Sequence, residues 1–147
     1  MNLDELAASP PLPRPDATSR FFWDALAQKE LHIQRCNSCG RYIHYPKPVC
    51  RHCLSTDLAG ARVSGRGTVC SWTLAVQAFH PFWTNRVPFL IATVELEEEK
   101  GLMFASQLID CDESDLRIGL PVEVVFESLT PELTVPFFRL AAKENAR

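Results

Sequence analysis

The stretch "RCNSCGRYIHYPKPVCRHC", residues 35–53, constrains the fold more than any other part of the chain. It holds four of the six cysteines, as two C-x-x-C pairs. Two thiolates two residues apart grip one ion from a single tight turn, and a second pair completes a tetrahedron with Zn–S distances of about 2.3 Å. Gly40 follows Cys39 directly, where a knuckle needs a backbone with positive φ. Ten residues separate Cys39 from Cys50, enough for a ribbon loop, and Pro46 and Pro48 stiffen the approach to the second pair. Cys36, Cys39, Cys50 and Cys53 are therefore predicted to hold one structural zinc. A four-sulfur site keeps no position for water or substrate, so such an ion serves folding rather than catalysis.

Other uses of the four thiols stay open at this stage. Iron in a rubredoxin-like site would make an electron carrier, and affinity order alone does not exclude it. A redox dithiol needs one pair, not two. Disulfides are disfavoured by the expected compartment. "MNLDELAASPPLPRPDATSR" lacks the basic and apolar regions of a secretory leader, and no apolar run approaches the roughly 20 residues of a membrane span. A cytoplasmic, reducing setting without membrane contact is the expectation. His44 and His52 are surplus to four sulfurs and read as surface groups or supports behind the ligands. Cys70, inside an apolar run, reads as core.

The 147 residues suit one ordinary domain or two small ones, and 11 prolines argue against a long-helix bundle. Four prolines between residues 10 and 15 predict an extended arm over 1–18. Thr18 or Ser19 is expected to cap a short helix that runs to about Lys29 and packs its aromatics on the core. "LHIQR" alternates like a strand leading into the first cysteine pair, which gives a helix-plus-ribbon unit over 19–63. From residue 64 the pattern turns to β: "GTVCSWTLAV", "PFLIATVEL", "LMFASQLI", "PVEVVFESL" and "TVPFFRL" are bounded by turn residues. Five such strands suit a small closed barrel over 64–142, since closure removes sheet edges, with a tail at 143–147. Glu97–Glu99 followed by Lys100-Gly101 reads as a hairpin turn carrying solvated charge.

Charge is distributed unevenly. Residues 29–66 carry seven basic against two acidic side chains, a local +5 that leaves −8 elsewhere in a chain of net −3. A basic patch on an acidic protein points to an anionic ligand or an acidic partner, not to general polynucleotide affinity. "FHPFWTNRVPF" places Phe79, Phe82 and Trp83 in one loop between the first two barrel strands, an apolar surface suited to a partner or ligand. The chain has no G-x-S-x-G elbow, phosphate-binding P-loop or HExxH, and the acidic residues 110–115 lack the glycine and terminal glutamate of a calcium loop. "SGRG" opens a strand rather than a helix and reads as a turn.

Taken in order, the short aromatic helix, "LHIQRC", C-x-x-C-G, "YPKPVCRHC", "VSGRGTV", "VPFLIATVELEE" and "IGLPVEVVFE" resemble the rubredoxin-like zinc-ribbon plus OB-fold family of acyl-CoA-associated proteins, long described as a domain of unknown function. The likeness covers about residues 19–140. It implies a mainly β fold: an N-terminal helix, a rubredoxin-like zinc ribbon and a five-stranded OB-fold barrel. It also implies a non-catalytic subunit that accompanies thiolase-superfamily enzymes: thiolases, acyltransferases or the retro-aldolases of steroid side-chain breakdown. By the same resemblance Cys36, Cys39, Cys50 and Cys53 are the zinc ligands, and a CoA-thioester site or channel lies near the junction of ribbon and barrel.

CoA carries a 3′-phosphate and a diphosphate. Arg41, Lys47, Arg51 and Arg66 are the basic candidates to meet them, with Tyr42 or Tyr45 to stack the adenine. Phe79, Phe82 and Trp83 are the candidate partner contacts. The chain departs from the family pattern at "ELEEEKGLMF", where the turn is longer and more acidic. The alternative function is a single-stranded nucleic-acid-binding module, which the −8 balance outside the ribbon argues against.

Overall fold

Alternation decides the second half of the chain. In the strand Phe89–Leu96 every second residue is buried (Leu90, Ala92, Val94 and Leu96) while the residues between stay half-buried. A strand with one apolar face must lay that face on a core, and five such strands close on themselves here. The computed structural model describes residues 2–142, so the expected tail at 143–147 lies outside the described residues. Two short helices, α1 (Leu3–Ala8) and α2 (Arg20–Ala27), precede eight strands. These are β1 (His32–Cys36), β2 (Tyr42–Ile43), β3 (Leu58–Arg62), β4 (Arg66–Ala75), β5 (Phe89–Leu96), β6 (Met103–Leu108), β7 (Pro121–Thr130) and β8 (Leu133–Leu140).

The last five strands form a closed barrel in the order β4-β5-β6-β8-β7. Closure comes from β4 pairing antiparallel with β7, Gly67 opposite Val122, and from a parallel contact between β6 and β8 at Leu108 and Phe138. The mainly β fold with a five-stranded OB-type barrel is as expected. Cys70 differs from expectation: it is the extra residue of a bulge between Val69 and Ser71 and is half-buried rather than part of the core.

The first three strands make the ribbon sheet, in the order β2-β1-β3. Its own apolar cluster is small, Cys36, Ile43 and Cys50 with Leu58 packed against it. The rest of its burial is shared. Leu31 just before β1, Ile33 within it and Val63 after β3 enter one cluster with Leu26 of α2 and the barrel residues Val69, Val94, Phe104 and Phe138. Helix, ribbon and barrel therefore stabilise one another through a common core, at about 1.5–3 kcal/mol for each fully buried large apolar side chain.

The start of α2 is capped earlier than expected. Ser19 makes no cap bond to the helix through its side chain. Asp16 does the capping: its carboxylate accepts from Ser19 N at 2.8 Å and Thr18 N at 3.0 Å, while Asp16 N donates to Ser19 Oγ at 3.1 Å. These backbone and hydroxyl donors hold the Asp16 carboxyl below its ordinary range. Downstream, Phe21 of α2 lies so close to Gly60 of β3 that a methyl group there would overlap its ring.

The arm also corrects the expectation. Residues 3–8 are helical, not extended: Asn2 and Glu5 form a reciprocal capping box, and "LDELAA" consists of good helix formers placed before the proline run. This helix lies against the 3₁₀ turn Pro81–Trp83. Among the described residues no helix is long and apolar enough to cross a membrane.

Candidate functional site

The four cysteines converge. Their sulfurs all lie within 4.8 Å of one another, with Cys36 and Cys53 at 3.6 Å and Cys39 and Cys50 at 3.7 Å. A tetrahedron with Zn–S bonds of about 2.3 Å has edges of about 3.8 Å, so the donor set fits one zinc ion. Each pair sits on the same backbone turn. Gly40 N donates to Cys36 O at 2.8 Å and Leu54 N to Cys50 O at 2.9 Å; Cys36 N donates to Arg41 O and Cys50 N to Ser55 O. The turn aims further N–H groups at sulfur, Cys39 N to Cys36 Sγ at 3.5 Å and His52 N to Cys50 Sγ at 3.4 Å.

The thiols divide by environment. The Cys39 N–H favours the Cys36 thiolate and brings its pKa down to about 6, and the Cys53 N–H lowers Cys50 likewise. Cys53 is pushed up to about 12: one N–H, from Ser55, favours its thiolate, but desolvation and the neighbouring sulfurs outweigh it. Cys39 rises too, desolvation and its sulfur neighbours outweighing the Arg41 N–H. Four sulfurs at this spacing ionise together only around a cation, which is what the zinc would supply.

The basic candidates do not form one patch. Arg41, Tyr42 and Arg51 line a cleft of about 390 Å³ together with Lys100 and Glu99. Tyr42 is itself covered by the Arg35 guanidinium, 4.9 Å from its ring centre. Lys47 lies on another cleft, and Arg66 on a third, where it pairs with Glu97 at 3.0 Å. This corrects the reading of the acidic turn as solvated charge. Glu98 Oε1 accepts from Ser64 N at 2.7 Å, Glu99 accepts from Tyr42 N at 3.3 Å, and Glu99 lies 4.0 Å from Arg41. The turn after β5 thus fastens the barrel to the ribbon and draws two of the candidate arginines toward itself.

A larger cleft, of about 620 Å³, opens where α2, the ribbon loop and the barrel meet. Phe22 and Trp23 of α2, Tyr45, Trp83, Phe104 of β6 and Phe137 of β8 supply its rings. His44 borders this cleft and the basic one alike. Its ring stacks on Phe104, 4.5 Å between centres and 14° between planes. Neither ring nitrogen has a hydrogen-bond partner, and burial brings its pKa down to about 4, so the ring is neutral at pH 7. His44 is thus neither a surface group nor a support for the sulfur ligands. His52 is exposed and receives Arg51 Nε at 3.3 Å.

The aromatic loop divides. Phe79 is 89% exposed, whereas Phe82 is 4% exposed, beneath Arg86 at 4.0 Å. His80 Nδ1 accepts from Phe82 N at 3.2 Å and turns that ring inward. Trp83 packs edge-on to Phe82 and faces the large cleft. Of the three candidate contacts, Phe82 is therefore withdrawn from the surface.

Comparison with known proteins fits this architecture. Residues 23–59 match the model of the "ChsH2, rubredoxin-like zinc ribbon domain", and residues 61–127 that of the "ChsH2, C-terminal OB-fold domain". A "probable enoyl-CoA hydratase alpha subunit" of Thermomonospora curvata is 34% identical over 135 residues, 92% of this chain; the chain spans only 41% of that relative's length. A "DUF35 domain-containing scaffold protein" of Methanothermobacter thermautotrophicus is 30% identical over 112 residues, 75% of this chain and 82% of the relative. Among solved structures, a chain of the "Ltp2-ChsH2(DUF35) aldolase" superposes with a TM-score of 0.79 at 33% identity, covering 88% of this chain and 98% of that one.

Proposed function

This chain belongs to the ChsH2 (DUF35) family of zinc-ribbon and OB-fold proteins, and from that premise we propose that it is a non-catalytic subunit of an acyl-CoA enzyme complex, bound to a thiolase-superfamily enzyme. The observation that carries this reading is the match along nearly the whole of a chain solved as part of an aldolase. In this reading zinc on the four sulfurs stiffens the ribbon, and the ribbon with the adjoining barrel forms the docking surface. Phe79, almost fully exposed between β4 and β5, is the aromatic anchor for the partner, with exposed Val76 beside it in the same loop.

The phosphates of CoA would lie over Arg41, Arg51 and Lys100, with Tyr42 next to the adenine. Lys47 lies toward the larger cleft. Arg66, held by Glu97, takes a structural part instead. The single-strand reading gains no support, since Arg41, Arg62, Arg66 and Arg139 all have a glutamate within 4.0 Å rather than forming a continuous basic track.

Co-expression with a thiolase-superfamily enzyme from the same source tests this proposal. A stable hetero-oligomer on size exclusion at micromolar concentration is the expected result. Two separate peaks contradict it, as does thioester turnover by this chain alone.

A further inference from the structure

The two knuckles are alike in how they present sulfur: the first cysteine of each pair, Cys36 or Cys50, is buried, and the second, Cys39 or Cys53, is exposed. The close sulfur contacts cross between knuckles and join one kind to the other, Cys53 to Cys36 at 3.6 Å and Cys39 to Cys50 at 3.7 Å. We propose that Cys39 and Cys53 are oxidation sites for a hydroperoxide, that each then closes a disulfide onto the buried cysteine of the opposite knuckle, and that the ribbon thereby gives up its metal. On the docking reading above, it gives up its partner with it.

The chemistry balances within this site. The exposed thiolate attacks one oxygen of the peroxide; an S–O bond forms, the O–O bond breaks, hydroxide leaves, and the sulfur, oxidised by two electrons, becomes a sulfenic acid. The thiolate of its buried neighbour then attacks that sulfur; an S–S bond forms, the S–O bond breaks and a second hydroxide leaves. Two peroxides consume four thiolates and give two disulfides and four hydroxides. No thiolate is left to hold a cation.

Two further features direct this outcome. The knuckles are braced against each other independently of the metal: the Ser38 and Ser55 hydroxyls share a hydrogen bond of 2.8 Å, and Asn37 donates to Asp57 from its side chain and its backbone, at 2.9 Å each. The facing sulfurs are thus kept within reach of one another. The ribbon's own apolar cluster, moreover, consists of Cys36, Ile43 and Cys50 with Leu58 against it, so oxidation acts on two of its three buried members. The other two cysteines are poorer targets. Both are half-buried, and burial together with Asp115, Asp112 and Asp110 raises the Cys111 thiol above its ordinary range.

The test begins with the zinc-loaded chain alone, treated with hydrogen peroxide. Zinc, read with a chromogenic chelator, should fall from one per chain to near none, in step with disulfides that peptide mass mapping places at Cys36–Cys53 and Cys39–Cys50. Dithiothreitol with added zinc should restore the metal, and the double variant Cys70→Ser, Cys111→Ser should respond as the parent does. Zinc retained while Cys70 or Cys111 oxidises would overturn the proposal, as would links at Cys36–Cys39 and Cys50–Cys53 or loss that reductant does not reverse. Binding to the thiolase-type partner is then compared before and after peroxide. At least tenfold weaker binding by the oxidised chain is expected, and equal binding would overturn the regulatory role. If the reduced chain does not bind, the docking reading fails, while zinc release and mapping still decide the thiol chemistry.

Discussion

Gly40 and Leu54 hold the same place in the two metal knuckles. Each is the fourth residue after the first cysteine of its pair, donates its N–H to that cysteine's carbonyl, and has left-handed backbone, φ +77° and +64°. Only one of the two is a glycine. A side chain in this conformation costs roughly 1–2 kcal/mol, which the Cys50 knuckle bears and the Cys36 knuckle does not.

Replacing Leu54 by glycine should therefore stabilise the protein. The side chain is 76% exposed, so little packing is lost, and the relief outweighs the added freedom of the unfolded chain. Urea unfolding of the zinc-loaded chain should show a gain of about 0.5–1 kcal/mol. Gly40→Leu should lose about 1–2 kcal/mol by the same reasoning.

Contact between α2 and the ribbon is equally specific. Gly60→Ala would press a methyl into Phe21 and should cost about 1–3 kcal/mol, typical of overpacking. Combining it with Phe21→Leu should recover part of that loss. A double-mutant cycle by chemical denaturation measures the coupling.

Acid should weaken the protein in part through Asp16. Its folded pKa lies below the unfolded value, so its contribution is fully present above the unfolded pKa and is lost as pH falls through the folded one. Asp16→Ala should melt below the parent at pH 7, and the gap should close as pH falls below the ordinary carboxylate range. Thermal scans between pH 7 and 3 give the comparison.

Metal removal should reach beyond the ribbon, because Leu31, Ile33 and Val63 share the core of the barrel. A chelator, or Cys50→Ser, should lower the thermal midpoint of the whole chain in one transition rather than melt a ribbon phase alone. Metal analysis should return one zinc per chain, and a red, iron-loaded protein would contradict the assignment. Zinc should also leave as pH falls, since the sulfurs bind as thiolates.

Much of this was legible in the sequence because the signals were local. C-x-x-C spacing places two sulfurs on one turn, and alternation such as that of Leu90 to Leu96 writes a barrel face directly into the chain. Two signals were local and still passed over: the capping box of Asn2 and Glu5, hidden beside the prolines, and the pairing of Asp16 with Ser19. The rest was non-local. Glu99 meets Tyr42 across 57 positions, and Phe104 stacks under His44 across a comparable gap, so neither the buckling role of the acidic turn nor the cleft has a signature within any one window. The inward turn of Phe82 depends on His80 and Arg86 acting from both sides.

Calorimetric titration of the thiolase-type partner with zinc-loaded chain, and again with chain stripped by a chelator, bears most directly on the claim that a metal-stiffened ribbon makes this barrel a docking subunit. Micromolar or tighter binding by the loaded form, at least tenfold weaker once the metal is gone and lost in Phe79→Asp, is the predicted result. Equal binding with and without metal, or no binding by either, would contradict it.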